Sequence, residues 1–564
     1  VLDDKEYSAP NVNSKIDGGQ SSITGDFTLE EARDLANVLK SGRMDAKVHI
    51  ISDMVVGPSL GKQAIEAGFT SFVVALVLLM IFMMAFYGVI PGLIANICLL
   101  CNLFFTMGIL ASFQAVLTMS GIAGIVLALG MAVDANVLIF ERTKEELRAG
   151  KNVRNALADG YSNAFSAIFD SNLTSIITGV ILLLFGTGPI KGFATTLIIG
   201  LVCSFFTAVY LSRLFFLWFS KTDAFNKLTF STGLSRKMFI NTNINFLGQR
   251  KVSFAVVGVL IAIVIVSLVG RGLNQGIDFS GGRNYIVKFE QPVSTVELQQ
   301  VLSEQFPGAS TSVITIESSN QVRVSTNYKI NDENADTERE ITGKLYTALQ
   351  PYLRAGMTAE EFSTTDASQG IVSSQKVGPS VADDMRTDAY IAVAIALLAM
   401  FLYILLRFRN VAFSLGALAA VAFTAFTIIG FYSIFYGILP FAMEVDQTFI
   451  AAILTVIGYQ INDTVVVFDR VRENTALYPK QDFFTTINKS INTTLSRTIM
   501  TSASTLLVLL CIFILGGDSI RSFTFAMLFG VIIGTCATIW VACPVAYLTD
   551  SRRKAAAVKT AAAR

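Results

Sequence analysis

Gly130-Met-Ala-Val-Asp-Ala-Asn-Val-Leu-Ile-Phe-Glu-Arg142 and Gly458-Tyr-Gln-Ile-Asn-Asp-Thr-Val-Val-Val-Phe-Asp-Arg470 are two copies of one pattern. Each opens on Gly, carries an Asp among apolar residues, and closes on Phe, an acid and Arg. Upstream of each lies a further apolar stretch, so the carboxylates Asp134 and Asp463 fall inside runs near 116–140 and 447–468. A run of about 20 mostly apolar residues is the length that crosses a bilayer. Ionisable groups are expensive there and mark function.

By the same criterion the chain holds about eleven spans, near 69–90, 92–113, 116–140, 164–186, 192–218, 252–270, 387–406, 411–436, 447–468, 494–515 and 521–548. Hydrophobic residues make up 53% of the 564 and charged ones only 15%, too little charged surface for a water-soluble fold of this size. Basic residues cluster after the third span (Arg142, Lys144, Arg148), between the fifth and sixth (Lys221, Lys227, Arg236), at Arg407 and Arg409, after the ninth, and at Arg552 and Arg553. If the spans alternate, all of these lie on one side, which the positive-inside rule makes cytoplasmic. The net charge of +1 argues against a nucleic-acid binder. The six cysteines all lie in apolar stretches and read as small packing residues, Cys98 and Cys101 included.

The repetition extends beyond the two Asp segments. Val56-Gly57-Pro58-Ser59 precedes the first span as Val377-Gly378-Pro379-Ser380 precedes the seventh. Lys191-Gly-Phe-Ala corresponds to Arg521-Ser-Phe-Thr, and Gly200 to Gly530. The expected fold is therefore an α-helical membrane protein of two pseudo-symmetric bundles in parallel orientation, with small α+β extracytoplasmic domains and a functional site between the halves. The expected division runs 1–68 (outer segment), 69–218 (first five-helix half), 219–251 (cytoplasmic linker), 252–270 (single helix), 271–386 (outer domain), 387–548 (second half) and 549–564 (cytoplasmic tail).

In the first outer segment a helix is expected from Thr28, with Glu31 completing a capping box. In the second, Tyr285–Phe289, Ser312–Ile316 and Val322–Ser325 alternate as strands, and 294–305 and 333–353 carry helical periodicity, an order that suggests a ferredoxin-like unit. Neither segment shows a nucleophile–base pair or a metal-ligand cluster, and His49, the only histidine, reads as a surface residue. Gly57-Pro58 and Gly378-Pro379 read either as hinges between outer domain and membrane helix or simply as helix starts.

Four ionisable groups lie in the apolar helices: Asp134, with Asn136 nearby; Asp463, beside Asn462; Asp170; and Arg497. A carboxyl in low dielectric can be poised to load and release protons. Arg497 reads either as a counter-charge to a carboxylate across the half–half interface or as a side chain reaching back to the cytoplasmic face. The Ser and Thr around Asp170 and Arg497 equally suit interhelical hydrogen bonding. Asp134 aligns with Asn462, and Asp463 with Ala135, so the carboxylates are offset by one residue, about 100° of helix rotation.

Gly130–Arg142 resembles the membrane signature of SecD, and Gly458–Arg470 that of SecF. Gly276-Ile-Asp-Phe-Ser-Gly-Gly282 resembles the opening of the SecF outer domain, Asn488–Thr501 its following membrane helix, and Val1–Ala9 with Val56–Gly61 the end of the SecD outer region. The resemblance implies a fused SecDF-type chain of the resistance-nodulation-division superfamily. Most of a large first outer domain and one helix are expected ahead of Val1. It further implies a non-enzymatic role beside the SecYEG channel, helping preproteins driven by the SecA ATPase to complete export, with YajC- or YidC-type subunits and membrane lipids as neighbours. The coupling ion would be the proton, with no other cofactor, and the positions matching Asp463, Arg497 and Asp134 would carry it, Asp463 and Arg497 as the principal pair.

No G-x-x-x-x-G-K-[ST] loop occurs, so ATP is not expected as the direct energy source. One charge crossing the membrane is worth about 2.3 kcal/mol per 100 mV, enough to bias an outer-domain movement by about tenfold. The competing readings are a proton-coupled exporter of lipid or small molecules, and a non-transporting scaffold for the translocon.

Overall fold

The computed structural model describes residues 52–562 except 116, 234, 237–241, 317, 333–334, 366–368 and 440, together with scattered positions between 23 and 40. Glu31 and His49 lie outside the described residues. The apolar runs form eleven helices long and apolar enough to cross a membrane among those described, matching the spans expected from sequence. The first half contains α1 (Pro58–Tyr87), α2 (Val89–Ser112), α3 (Met119–Arg148), α4 (Val153–Phe185) and α5 (Gly188–Phe206). A π-helical turn, Thr207–Leu211, carries α5 on into Ser212–Phe219. After α6 (Arg250–Arg271) comes the outer domain, with short helices α7 (Ile277–Ser280), α8 (Thr295–Gln305), α9 (Ala335–Leu349) and α10 (Ala359–Ser363). The second half contains α11 (Pro379–Phe408), α12 (Val411–Phe435), α13 (Gln447–Leu477), α14 (Phe483–Leu515) and α15 (Asp518–Ala537). Its last helix also passes through a π turn, Thr538–Ala542, so even this irregularity is duplicated.

Several helices begin well before their apolar windows because capping chemistry sets the start. Asn152 accepts a hydrogen bond from the Asn155 amide at the N-terminus of α4. At α1 and α11, Gly57 and Gly378 are the N-caps with Pro in the first turn, and their dihedrals match closely (φ −68°, ψ 154° and φ −70°, ψ 156°). A Cβ on Gly57 would stand 2.3 Å from the Thr365 carbonyl oxygen, so only glycine lets these backbones approach.

The packing places α3 and α13 at the centre. Their apolar windows are 89% and 94% buried, whereas that of α6, which packs on α12, is 6% buried. Each half repeats the same close approach: a Cβ on Gly200 would meet Ala128 at 2.5 Å, and one on Gly530 would meet Val456 at 2.6 Å. Between halves the contacts cross over, with α4 packing on α13 and α14 packing on α3.

One antiparallel five-stranded sheet makes the outer domain, from β1 (Ser52–Val56), β2 (Gly282–Lys288), β3 (Thr311–Ile316), β4 (Ser318–Thr326) and β5 (Gly370–Val377), in the order β1-β5-β2-β4-β3. Its last four strands have the ferredoxin-like order expected from the helix and strand pattern. Tyr285, Val287, Val322 and Val324 bury one sheet face against Leu298 and Leu302 of α8 and Ile341 and Leu345 of α9. The sequence reading contained neither β5 nor β1. β5, Gly-Ile-Val-Ser-Ser-Gln-Lys-Val, is too polar to stand out, and β1 belongs to the first outer segment yet joins the sheet of the second.

Candidate functional site

The two repeated segments place their polar residues in the core of the membrane region. Asp134, Asp463 and Arg497 are 5%, 4% and 7% exposed. Asn462 Nδ2 donates to Asp134 Oδ2 at 2.6 Å across the half–half interface. Thr501 Oγ1 donates to Asp463 Oδ1 at 3.5 Å. Asp134, Asp463 and Arg497 lie within electrostatic reach of one another. Arg497 is buried, within electrostatic reach of both carboxylates and also of Arg142. The crossing of α14 onto α3 is what carries this second-half cation to the first-half acid.

Protein partners account for only part of the hydrogen bonding of these groups. Asp134 Oδ1, Asp463 Oδ2 and Arg497 Nε and Nη1 are buried and make no hydrogen bond to any described residue. Leaving a buried charged group unsatisfied costs more than about 1–3 kcal/mol each. Two carboxyls and one permanent cation are also a set whose net charge changes with a single proton.

Two other sequence candidates stand apart. Asn136 Nδ2 reaches back to Ala132 O on its own helix at 3.5 Å. Asp170 is not brought to the central cluster by any hydrogen bond or ion pair among the described residues. Its Oδ2 pairs with Arg407 Nε at 2.6 Å and its Oδ1 accepts from Tyr403 Oη at 2.8 Å, both on α11 of the other half. Arg407 Nη2 also donates to Ser166 and lies 3.7 Å from Asp469. Asp170 thus has its own counter-charge, supplied by a residue that the sequence reading placed in a cytoplasmic loop. Thr501, Tyr403 and Arg407 were legible only as polar residues at helix ends or in Ser/Thr-rich stretches, because a sequence does not say which helices of opposite halves touch.

With this geometry in view, the relatives are informative. Residues 37–222 and 357–552 match the model of the protein export membrane protein SecD/SecF C-terminal family. Residues 1–46 match the SecDF P1 head subdomain, and residues 266–293 the SecD/SecF GG motif. The protein translocase subunit SecDF of Bacillus subtilis is 34% identical over 556 residues, covering 95% of this chain and 71% of the relative. That of Thermus thermophilus is 33% identical over 557 residues, covering 98% and 71%. The crystal structure of the Thermus SecDF, described as a translocon-associated membrane protein, superposes with a TM-score of 0.78 at 33% identity, covering 97% of this chain and 70% of that one. The chain belongs to the SecD/SecF family.

The SecD/SecF GG motif gains a physical meaning here. Gly281 and Gly282 have φ of +70° and +150°, and a Cβ on Gly282 would stand 3.0 Å from Ile277 and 3.2 Å from the Thr326 carbonyl oxygen. Two glycines therefore let the chain turn sharply from α7 into β2. The turn holds Asp278 against the segment that leads into α13. Asp278 Oδ2 accepts from the Gln447 amide at 3.3 Å. Val445 exchanges backbone hydrogen bonds with Asn274 and Gly276 at 2.8 and 3.0 Å. Arg323 on β4 pairs with Glu444 at 2.6 Å. Asp446 caps α13 by accepting from the Phe449 amide. Burial pushes the Asp278 carboxyl up to about 6, helped by the charges of Asp446 and Glu444. Burial also raises Glu444 and Asp446. This strap binds the outer domain to the helix that carries Asn462 and Asp463.

Proposed function

We propose that the chain is a proton-driven auxiliary of the Sec protein translocase, promoting late stages of polypeptide export across the bacterial cell membrane. Family membership supports a Sec-associated export role. The observation that carries the proton reading is the buried set Asp134, Asn462, Asp463 and Arg497, which spans both halves of the membrane region. With Arg497 permanently charged, the two carboxyls together favour holding one proton. Loading or releasing it changes the packing preferred between α3, α13 and α14. The strap from Asn274–Asp278 to the start of α13 gives that change a direct mechanical route to the outer domain. In this reading the paired Gly-Pro starts of α1 and α11 are the joints between the sheet and the membrane helices.

In this reading the outer sheet is extracytoplasmic, the C-terminal tail is cytoplasmic, and the site works beside SecYEG on preproteins that SecA has begun to move. YajC- or YidC-type subunits are candidate neighbours. The test is export of a secretory protein into sealed inverted vesicles, with a proton gradient imposed after ATP-driven translocation has begun. The protein is expected to speed completion only with the gradient, and its Asp463→Asn variant not at all. Equal stimulation by both without a gradient would establish a scaffold instead.

A further inference from the structure

Three residues beyond Arg142 stands Glu145, and three beyond Arg470 stands Glu473. That spacing puts each Arg and Glu on one helix face, and the crossing of the halves brings the two faces together at the cytoplasmic ends of α3 and α13. Arg142 lies 3.1 Å from Glu145 and 3.4 Å from Glu473, while Arg470 lies 3.0 Å from Glu473 and 3.1 Å from Glu145. Each guanidinium spans both carboxylates, and each Glu Oε2 is contacted by one Arg from either half. The result is a closed, charge-neutral ring across the pseudo-two-fold axis.

The ring sits at an opening. Its arginines are 15% and 16% exposed, whereas its glutamates are 39% and 41% exposed. Inward from it runs a narrow cavity, walled by Leu138, Val466, Thr493 and Thr494, that reaches Arg497. The other charged groups lining or flanking this space are Glu141, which pairs with Lys144 at 3.2 Å, and Asp469, which pairs with Arg472 and Arg407. Arg470 Nε also reaches Thr493 Oγ1 at 3.4 Å.

We propose that the ring Arg142–Glu145–Arg470–Glu473 is the cytoplasmic port of the pathway through the half–half interface. It rests on the proton-driven reading above. Closed, as here, the ring seals the cavity from the cytoplasm. Open, it admits water, and the protons that this water carries, to the space beside Arg497. Two of the four ion pairs lie within one helix and two join the halves. When the halves part, only the joining pairs break, and each Arg keeps the Glu three residues along its own helix. No charge is stranded in the open state, so the ring can alternate between two arrangements, as a gate must.

The experiment uses the full-length protein with its native cysteines replaced and Leu138→Cys introduced into the cavity wall. Sealed inverted vesicles expose the cytoplasmic face to a membrane-impermeant maleimide. With the ring intact, labelling is expected to be slow. In the E145A/E473A variant, two guanidinium groups are left to repel each other, and labelling is expected to rise by about tenfold or more, the effect of losing about one charge-assisted hydrogen bond from the closed state. The four-fold charge swap R142E/E145R/R470E/E473R restores the alternation of signs and is expected to return the slow rate. Unchanged labelling in E145A/E473A overturns the port, as does fast labelling with the ring intact. A rise that the charge swap does not reverse also overturns it, because that outcome reports general loosening. Proton uptake by the same vesicles, followed with an internal pH dye, is a separate readout. Uptake unaffected by Asp463→Asn would overturn the proton-driven reading, whatever the labelling shows.

Discussion

Asn462 donates to Asp134 at 2.6 Å, and these two residues occupy equivalent positions of the internal repeat, 328 residues apart. Equivalent residues touch only where the pseudo-two-fold axis passes between them. A perfectly repeated sequence would set two carboxylates face to face at this point. The second half instead supplies an amide there, and its own carboxylate, Asp463, sits one residue further on.

Changing this pair is therefore expected to have graded effects. Asn462→Ala removes the donor from a buried carboxylate, a loss of about 1–3 kcal/mol. Asn462→Asp places a second acid within hydrogen-bond distance, and the pair then shares a proton that cannot readily leave. Gradient-dependent export is expected to fall modestly for Ala and by tenfold or more, roughly, for Asp. The vesicle assay, run on equal amounts of folded protein, checks the order.

The buried Asp170 and the half-buried Arg407 form an ion pair between halves, and breaking it from the Arg side strands a buried charge. Arg407→Ala is expected to destabilise the protein by about 3–5 kcal/mol. The double variant Asp170→Asn with Arg407→Gln removes both charges together and is expected to recover most of that loss. Thermal unfolding in detergent provides the comparison. A double variant as unstable as the single one would show that the ion pair itself, not the stranded acid, holds the halves here.

The two glycines that open the repeated segments differ in what surrounds them. A Cβ on Gly458 would stand 2.4 Å from Thr178 Oγ1 of α4, whereas one on Gly130 would make ordinary contact with Val508 at 3.6 Å. Gly458→Ala is expected to cost about 1–3 kcal/mol through overpacking, and Gly130→Ala to be close to neutral. Adding Thr178→Ser should not relieve the clash, since the hydroxyl remains, but Thr178→Ala should.

Much of this arrangement is legible from residues alone. Helix count and duplication follow from apolar length and the twin Asp segments, because the bilayer imposes the first requirement directly. Which side chains meet is another matter. Asp170 looked like a member of the central cluster, since its helix corresponds to the one bearing Arg497, and only the packing of α4 against α11 reveals Arg407 as its partner. Arg142 and Arg470 count in the sequence only as basic residues after a span, and nothing there marks Glu145 and Glu473 as their partners across the halves. β5 carried too weak an alternation to be found, and β1 is held in place by a strand more than 300 residues away.

Asp278 makes the strap sensitive to acidity. A free Asp titrates near 3.9, roughly. Its folded-state pKa is raised to about 6 by burial and by Asp446 and Glu444. The folded state therefore binds the proton more tightly, and the stabilisation is fully present below the unfolded pKa and lost as pH rises through about 6. Amide exchange at Val445 and Gln447, corrected for the intrinsic effect of pH, is expected to be faster at alkaline than at mildly acidic pH. Asp278→Asn should flatten that dependence.

The pairing of β1 with β5 has a consequence for covalent continuity. Residues from both halves share one sheet outside the bilayer, and within it the helices of each half lie against those of the other. The polypeptide joining the halves between α5 and α6 is thus redundant as a tether. A protease site engineered into this linker and cut after assembly should yield two fragments that migrate together in mild detergent. Whether such a protein is encoded as one polypeptide or two is, for this architecture, a question of synthesis and stoichiometry rather than of shape.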